Sequence, residues 1–203
     1  MKQILCYGDS NTWGAIPGSL QRYPEDVRWT GVAARQLGDN YRIHEDGING
    51  RRTVWDDPKN LCRNGLLSLS YALYRTKPLD LVVLMLGTND LNHTDAKGYG
   101  RGLYVLADRI LHAESVCPGT SRIFTGDPKL LLVSPIEMAP FMTAYEESKK
   151  LARETEAVSE IMGIPWINAA TYARPSVIDG CHMEAADHRA LGIAVAQVIQ
   201  AIF

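Results

Sequence analysis

The stretch Leu79–Asp90 reads LDLVVLMLGTND. It is a nearly continuous apolar run that ends at Gly87. A strand that is apolar at successive positions has both of its faces buried, and helices must cover it on both sides. Such strands belong to parallel sheets, so the neighbouring segments should alternate strand with helix.

They do. Upstream, Gln3–Tyr7 reads as a first strand and Tyr41–His44 as a weaker second one. Downstream, Leu130–Val133 and Pro165–Asn168 read as the fourth and fifth. Helical segments fall between them at Val27–Leu37, Leu61–Tyr74, Gly102–Ser115, Thr143–Met162 and Ala185–Ile202. The third carries Leu103, Leu106, Ile110 and Leu111 on one side, and the last carries Leu191, Val195, Val198 and Ile202 at helical spacing. The expected architecture is α/β: a three-layer α/β/α sandwich around a five-stranded parallel sheet, in a single domain over residues 1–203. Crossovers are right-handed in such sheets. The stretch Val116–Pro128 reads as a surface insertion.

Bulk properties exclude several classes of function. The chain has 203 residues, of which 46% are hydrophobic and 22% charged, with a formal net charge of −2. No global field favours nucleic acid or anionic membranes. Basic residues are scattered and read as solvated, the pair Arg51-Arg52 included. No segment approaches the ~18 consecutive apolar residues of a membrane span. The amino-terminal apolar run is too short for a signal peptide. Cys6, Cys62, Cys117 and Cys181 show no metal spacing, so free thiols in a reducing cytoplasm are expected. Nothing in the pattern calls for a metal or an organic cofactor.

In open α/β sheets, ligands bind beyond the carboxyl ends of the strands. The polar, glycine-rich segments lie at those ends: Gly8-Asp9-Ser10-Asn11, Asp46-Gly47-Ile48-Asn49-Gly50 and Gly87-Thr88-Asn89-Asp90. Asp179-Gly180-Cys181-His182 follows the fifth strand and precedes the last helix. A serine hydroxyl attacks a carbonyl only when a base takes its proton, and a carboxylate orients that base. Ser10, His182 and Asp179 supply the three groups, with Asp179 and His182 three residues apart in one loop. The developing oxyanion needs preorganised donors. The Ser10 N–H, the Gly50 N–H and the Asn89 amide are candidates.

Each residue has a plainer reading. Ser10 could cap a helix after the first strand. Gly50 could serve only the Asn49-Gly50 turn, and Asn89 could cap the segment after the third strand. Asp9 reads as a loop tie, with a phosphoryl-accepting role as its rival, and Cys181 is a remote candidate for a thiol nucleophile. His44, His93 and His112 lie away from the motifs or lack a suitable carboxylate. Asp9, Asn11, Trp13, Trp55, Met138 and Phe141 are candidates for the pocket edge, where ordinary packing is the alternative. The segment SPIEMAPFM, Ser134–Met142, reads as a rigid wall because of its two prolines. Trp29 reads as packing its helix on the sheet. Nucleotide binding has little support, because GDSNTWG matches neither glycine-rich phosphate-binding pattern.

The blocks GDSN, GINGR, GTND and DGCH together resemble the SGNH hydrolases, also called GDSL esterases. Ser10, Gly50, Asn89 and His182 match the four residues that give that family its name, with Asp179 as the third member of the triad. ILCYGDSNTWG, VRWTGV, LDLVVLMLGTND, LLVSP and DGCH look like its bacterial arylesterase and acyltransferase branch. The resemblance implies a flavodoxin-like fold, hydrolysis of small acyl esters without a cofactor, and acyl transfer to alcohols or peroxide in some members. It also implies a homo-oligomer, up to an octamer. Asn11 departs from the aliphatic residue common after the family's serine, and Ala15 and Ile16 stand where the branch can carry a bulky aromatic wall. A carbohydrate O-acetyl esterase and a non-catalytic binding module of the same fold remain as alternatives.

Overall fold

A computed structural model describes residues 1–116 and 122–203. Strand β1 (Lys2–Gly8) leads into a single helical turn α1 (Ser10–Trp13) and then helix α2 (Trp29–Leu37). Strand β2 (Tyr41–Gly47) precedes α3 (Gly65–Thr76), and β3 (Leu81–Met85) precedes α4 (Ala96–Leu111) and the short α5 (Ala113–Val116). Strand β4 (Leu130–Ser134), helices α6 (Tyr145–Ser148) and α7 (Leu151–Met162), β5 (Trp166–Asn168) and α8 (Ala185–Ile202) complete the order. All five strands are parallel and lie side by side as β2-β1-β3-β4-β5.

Strand alternation explains the apolar runs. Leu5 and Tyr7 of β1, Val82 and Leu84 of β3, and Leu130 and Leu132 of β4 join one buried cluster with residues of α3, α4 and α7. Ile4 and Cys6, Leu81 and Val83, and Leu131 and Val133 join the cluster under α2 and α8. Every residue of β3 and β4 is buried. Each such leucine contributes roughly 2 kcal/mol of transfer free energy, so both faces of the sheet drive folding.

The expected α/β sandwich is what forms, with shifts at its boundaries. Helix α4 starts at Ala96, well before Gly102, because the Asp95 side chain accepts the Gly98 N–H and caps it. The segment read as a helix from Leu61 opens with a 3-10 turn over Leu61–Arg63, and α3 begins after Asn64, whose side chain caps it. The helix expected over Thr143–Met162 is two pieces, α6 and α7. Part of Val116–Pro128 is no surface insertion: Ile123 and Phe124 are fully buried. The Leu79 N–H donates to Ile123 O at 2.7 Å, and the Thr125 N–H to Leu79 O at 2.8 Å. Residues 117–121 lie outside the described residues. Among the described residues, no helix is long and apolar enough to cross a membrane.

His188, near the start of α8, locks that helix onto α2. It is fully buried, and its Nδ1 accepts the Trp29 N–H at 3.3 Å. Burial pushes the imidazole down to about 4, helped by the nearby Arg28 and His182 charges. The folded protein therefore refuses a proton that the unfolded chain takes up near 6.5. Stability is complete above that value and falls as pH drops toward about 4. His188→Asn should lose on the order of 3 kcal/mol less than the parent over that range. Urea unfolding of both proteins across the pH series reads the difference in slope.

Candidate active site

The strand order places β1 between β2 and β3, so the chains leaving β1 and β3 part from one another and open a crevice at their carboxyl ends. Gly8 at the end of β1 is in register with Gly47 of β2 and Met85 of β3. The loops after these strands carry Ser10, Gly50 and Asn89, all at one edge.

Ser10 opens α1, with Asp9 as the cap. The Asp9 side chain accepts the Asn11 N–H at 3.0 Å. Asp9 is buried, and burial lifts its carboxyl to about 6, against the pull of the Asn11 N–H, His182 and Arg51. It ties the loop, as the sequence suggests. Asp90 is likewise buried and accepts from the Thr53 N–H and hydroxyl. Burial raises it to about 7.

The loop before α8 swings back to this edge. His182 Nε2 lies 3.0 Å from Ser10 Oγ, and His182 Nδ1 lies 2.8 Å from Asp179 Oδ2. Partial burial pushes the Asp179 carboxyl up, but the His182 ring and the N–H groups of His182, Gly18 and Cys181 outweigh it. They hold it well below the usual carboxylate range. An ionised carboxylate only accepts, so Nδ1 carries the imidazole proton and Nε2 presents its lone pair to the Ser10 hydroxyl. Gly180 permits the turn with φ +75. A Cβ there would sit 2.7 Å from Met142 Cγ and 2.8 Å from Phe141 Cε2.

The turn after β2 has its own closure. The Arg51 N–H donates to Ile48 O at 3.0 Å, and Gly50 takes φ +78 as the third residue of that turn. Asn89 Nδ2 donates to Arg51 O at 3.2 Å and lies 3.5 Å from Asp9 Oδ2. One amide thus touches the residue beside Gly50 and the residue beside Ser10.

By sequence the basic pair is expected in water, and the structure corrects this: Arg51 is 1% exposed. Its guanidinium donates to Gly8 O at 2.9 Å, to Asp46 O at 2.7 Å and to the Asp46 carboxylate at 2.7 Å. It also lies 3.9 Å from the Tyr7 ring centroid. Sequence alone carries no sign of this, since an arginine beside a turn is usually in water.

The six pocket-edge candidates separate. Asp9 is the helix cap. The Asn11 side chain spans His182: its Nδ2 donates to Cys181 O at 3.0 Å and its Oδ1 accepts the Met183 N–H at 3.1 Å. Trp13 is half-buried, with the Arg22 guanidinium 5.3 Å from its ring. Trp55 packs on His93, and Met138 is buried. Phe141 is 62% exposed beside Gly180, in a loop tied to that turn by the Ala139 N–H donating to Gly180 O at 2.8 Å. Cys181 Sγ lies 3.5 Å from His182 Nδ1. Burial and the Asp179 charge push its thiol up to about 12, which leaves little thiolate to act as a nucleophile.

A parallel sheet in this order, with a serine, an imidazole and a carboxylate in relay at its carboxyl edge, defines the class of serine hydrolases. The profile of the GDSL-like Lipase/Acylhydrolase family matches residues 6–190. The chain belongs to that family, and it is a carboxylic ester hydrolase acting on acyl esters. It is similar to an inhibitor-bound aryl esterase of M. smegmatis, with 34% identity over 100% of both chains and a TM-score of 0.93. It is similar to a carbohydrate acetylesterase from Sinorhizobium meliloti, with 36% identity over 100% of both chains and a TM-score of 0.93. A carbohydrate acetylesterase family member from the same organism shares 31% identity, with a TM-score of 0.90, over 100% of this chain and 99% of that one. No curated protein sequence matches the chain.

Proposed function

We propose that the chain works as one domain that hydrolyses short-chain acyl esters through an acyl-enzyme on Ser10. The observation that carries this is the unbroken relay from Ser10 Oγ to His182 Nε2 at 3.0 Å and from His182 Nδ1 to Asp179 at 2.8 Å. As Ser10 Oγ bonds to the acyl carbon, its proton passes to His182 Nε2, and Asp179 stabilises the imidazolium. The oxyanion accepts from the Ser10 and Gly50 N–H groups and the Asn89 amide. Collapse breaks the ester C–O bond, and His182 protonates the leaving alkoxide. Water, or an alcohol or peroxide in acyl transfer, then repeats the steps in reverse and frees Ser10.

Exposed apolar side chains around the Asp179 loop, Phe141, Val177 and Ile178, favour aryl and alkyl leaving groups over sugars. The similarity to carbohydrate acetylesterases keeps acetylated sugars as the second reading. A panel of p-nitrophenyl esters of increasing acyl length, run beside acetylated xylose and glucose, separates the two. Faster turnover of the aryl acetate supports the first reading, and faster sugar deacetylation replaces it with the second. The homo-oligomer and the cytoplasmic setting belong to the same proposal. The exposed apolar loop residues and the unpaired thiols of Cys6, Cys62 and Cys181 support them.

Asn11 has a positioning role in this scheme, because its amide holds the backbone on both sides of His182. Asn11→Leu keeps the bulk and removes both bonds. A displacement of about 1 Å at a reacting group can cost on the order of a hundredfold. The variant should lose kcat on that scale with KM unchanged, and Asn11→Asp, which keeps the acceptor for Met183, should fall between. Steady-state kinetics well below the melting temperature distinguish this from simple destabilisation, which would leave kcat intact.

A further inference from the structure

We propose that Asp179, Cys181 and His182 form a site for a thiophilic divalent cation such as zinc, and that filling it shuts off the relay. Among the described residues, these three form a group whose ligand atoms lie within 4.8 Å of one another. Cys181 Sγ is 3.5 Å from His182 Nδ1 and 3.8 Å from Asp179 Oδ1, and Nδ1 is 2.8 Å from Asp179 Oδ2. Tetrahedral zinc, with bonds of about 2.0–2.3 Å, separates its ligand atoms by roughly 3.2–3.6 Å. The sulfur–nitrogen spacing of 3.5 Å is already in that range, and the sulfur has only to close on the carboxylate ligand oxygen from within 4.8 Å. The third has only to widen by about half an ångström, the difference between a proton and a metal ion between the same two atoms.

Access and charge agree with the geometry. The side chains of His182 and Asp179 are 25% and 21% exposed, so an ion reaches them and water fills its fourth position. One thiolate and one carboxylate balance the dication. The mixed sulfur, nitrogen and oxygen set suits zinc or cobalt and not calcium or magnesium. On binding, the thiol proton leaves to solvent, the imidazole proton moves from Nδ1 to Nε2, and bonds from Sγ, Nδ1 and the carboxylate to the ion replace the hydrogen bond between Nδ1 and Asp179. Nε2 then donates where it must accept, so it cannot take the Ser10 proton. This blocking consequence rests on the catalytic reading above; the binding itself does not.

Cobalt(II) is the probe, because a thiolate ligand gives it a near-ultraviolet charge-transfer band. The parent for the test carries Cys62→Ser and Cys117→Ser, which leaves Cys181 and the fully buried Cys6. Cobalt should raise the band in this parent and raise none after Cys181→Ala. Zinc should inhibit ester hydrolysis, and a chelator should restore it. Losing even an outer-shell partner weakens metal binding about ten- to a hundredfold. Cys181→Ala, with its rates referred to its own zinc-free turnover, should therefore need at least about tenfold more zinc for half-inhibition. Zinc binding should also release the Cys181 thiol proton to the solvent in the parent, a reading that needs no folded variant. No cobalt band in the parent, a band that survives Cys181→Ala, or zinc binding without proton release overturns the site. A band without zinc inhibition overturns the blocking step. Failure of the catalytic reading would appear separately, as turnover that survives Ser10→Ala while the cobalt band is unaffected.

Discussion

Ser10→Ala should end ester turnover, with kcat down roughly a millionfold, the scale expected when a triad nucleophile is removed. The substitution deletes one hydroxyl whose side-chain bond is to His182 Nε2. Ser10 is half-buried and lies outside both apolar clusters, so its loss opens no core cavity. The melting temperature should stay within a few degrees of the parent. Two measurements on the same preparation decide the matter: initial rates on p-nitrophenyl acetate, and mass spectrometry after a serine-directed phosphonate. The parent should gain one phosphonyl adduct on Ser10, and the variant none. Undiminished turnover by a folded Ser10→Ala protein would remove the acyl-enzyme scheme altogether.

The second large effect is on stability and falls on Arg51. Removing one partner of a buried, hydrogen-bonded charge typically costs about 3–5 kcal/mol. Arg51→Ala takes a donor from Gly8 O, which keeps only the Ile48 N–H at 3.2 Å, takes the guanidinium from Asp46 O, and takes a cation from beside the Tyr7 ring. Asp46 keeps a second partner in Arg75, at 3.1 Å. The lower end, about 3 kcal/mol, is therefore expected. For a chain of this size that is a fall of roughly 6–12 °C in melting temperature. Arg51→Lys should recover little of it, since an ammonium cannot reproduce the planar fork that meets three acceptors at once. Activity should fall too, because Arg51 O accepts from Asn89 and the same turn presents Gly50. Calorimetry and esterase rates on both variants check the pair of effects.

The parts of the site that were legible are those set by chain order and short spacing. Asp179 and His182 sit three residues apart with a glycine between them, and a loop that short brings a carboxylate within reach of an imidazole. Asn11 was legible only as an oddity beside Ser10. Its partners are Cys181 O and Met183 N, 170 and 172 positions away in the chain, and backbone groups leave no mark in a sequence. Arg51 was misread for a related reason. Its burial depends on where the ends of β1 and β2 bring Gly8 and Asp46, and no local pattern encodes that.

By itself, the sequence determined the layers and the edge. Runs such as Leu79–Leu86 demand burial on both faces, and only a parallel sheet between helices supplies it. Tertiary structure alone decided the strand order β2-β1-β3-β4-β5, the meeting of Ser10 with His182, and the clamp and buried cation that support them. The physical reason is range: hydrophobic periodicity acts between residues a few positions apart, whereas these contacts form between loops that become neighbours only when the sheet closes its register.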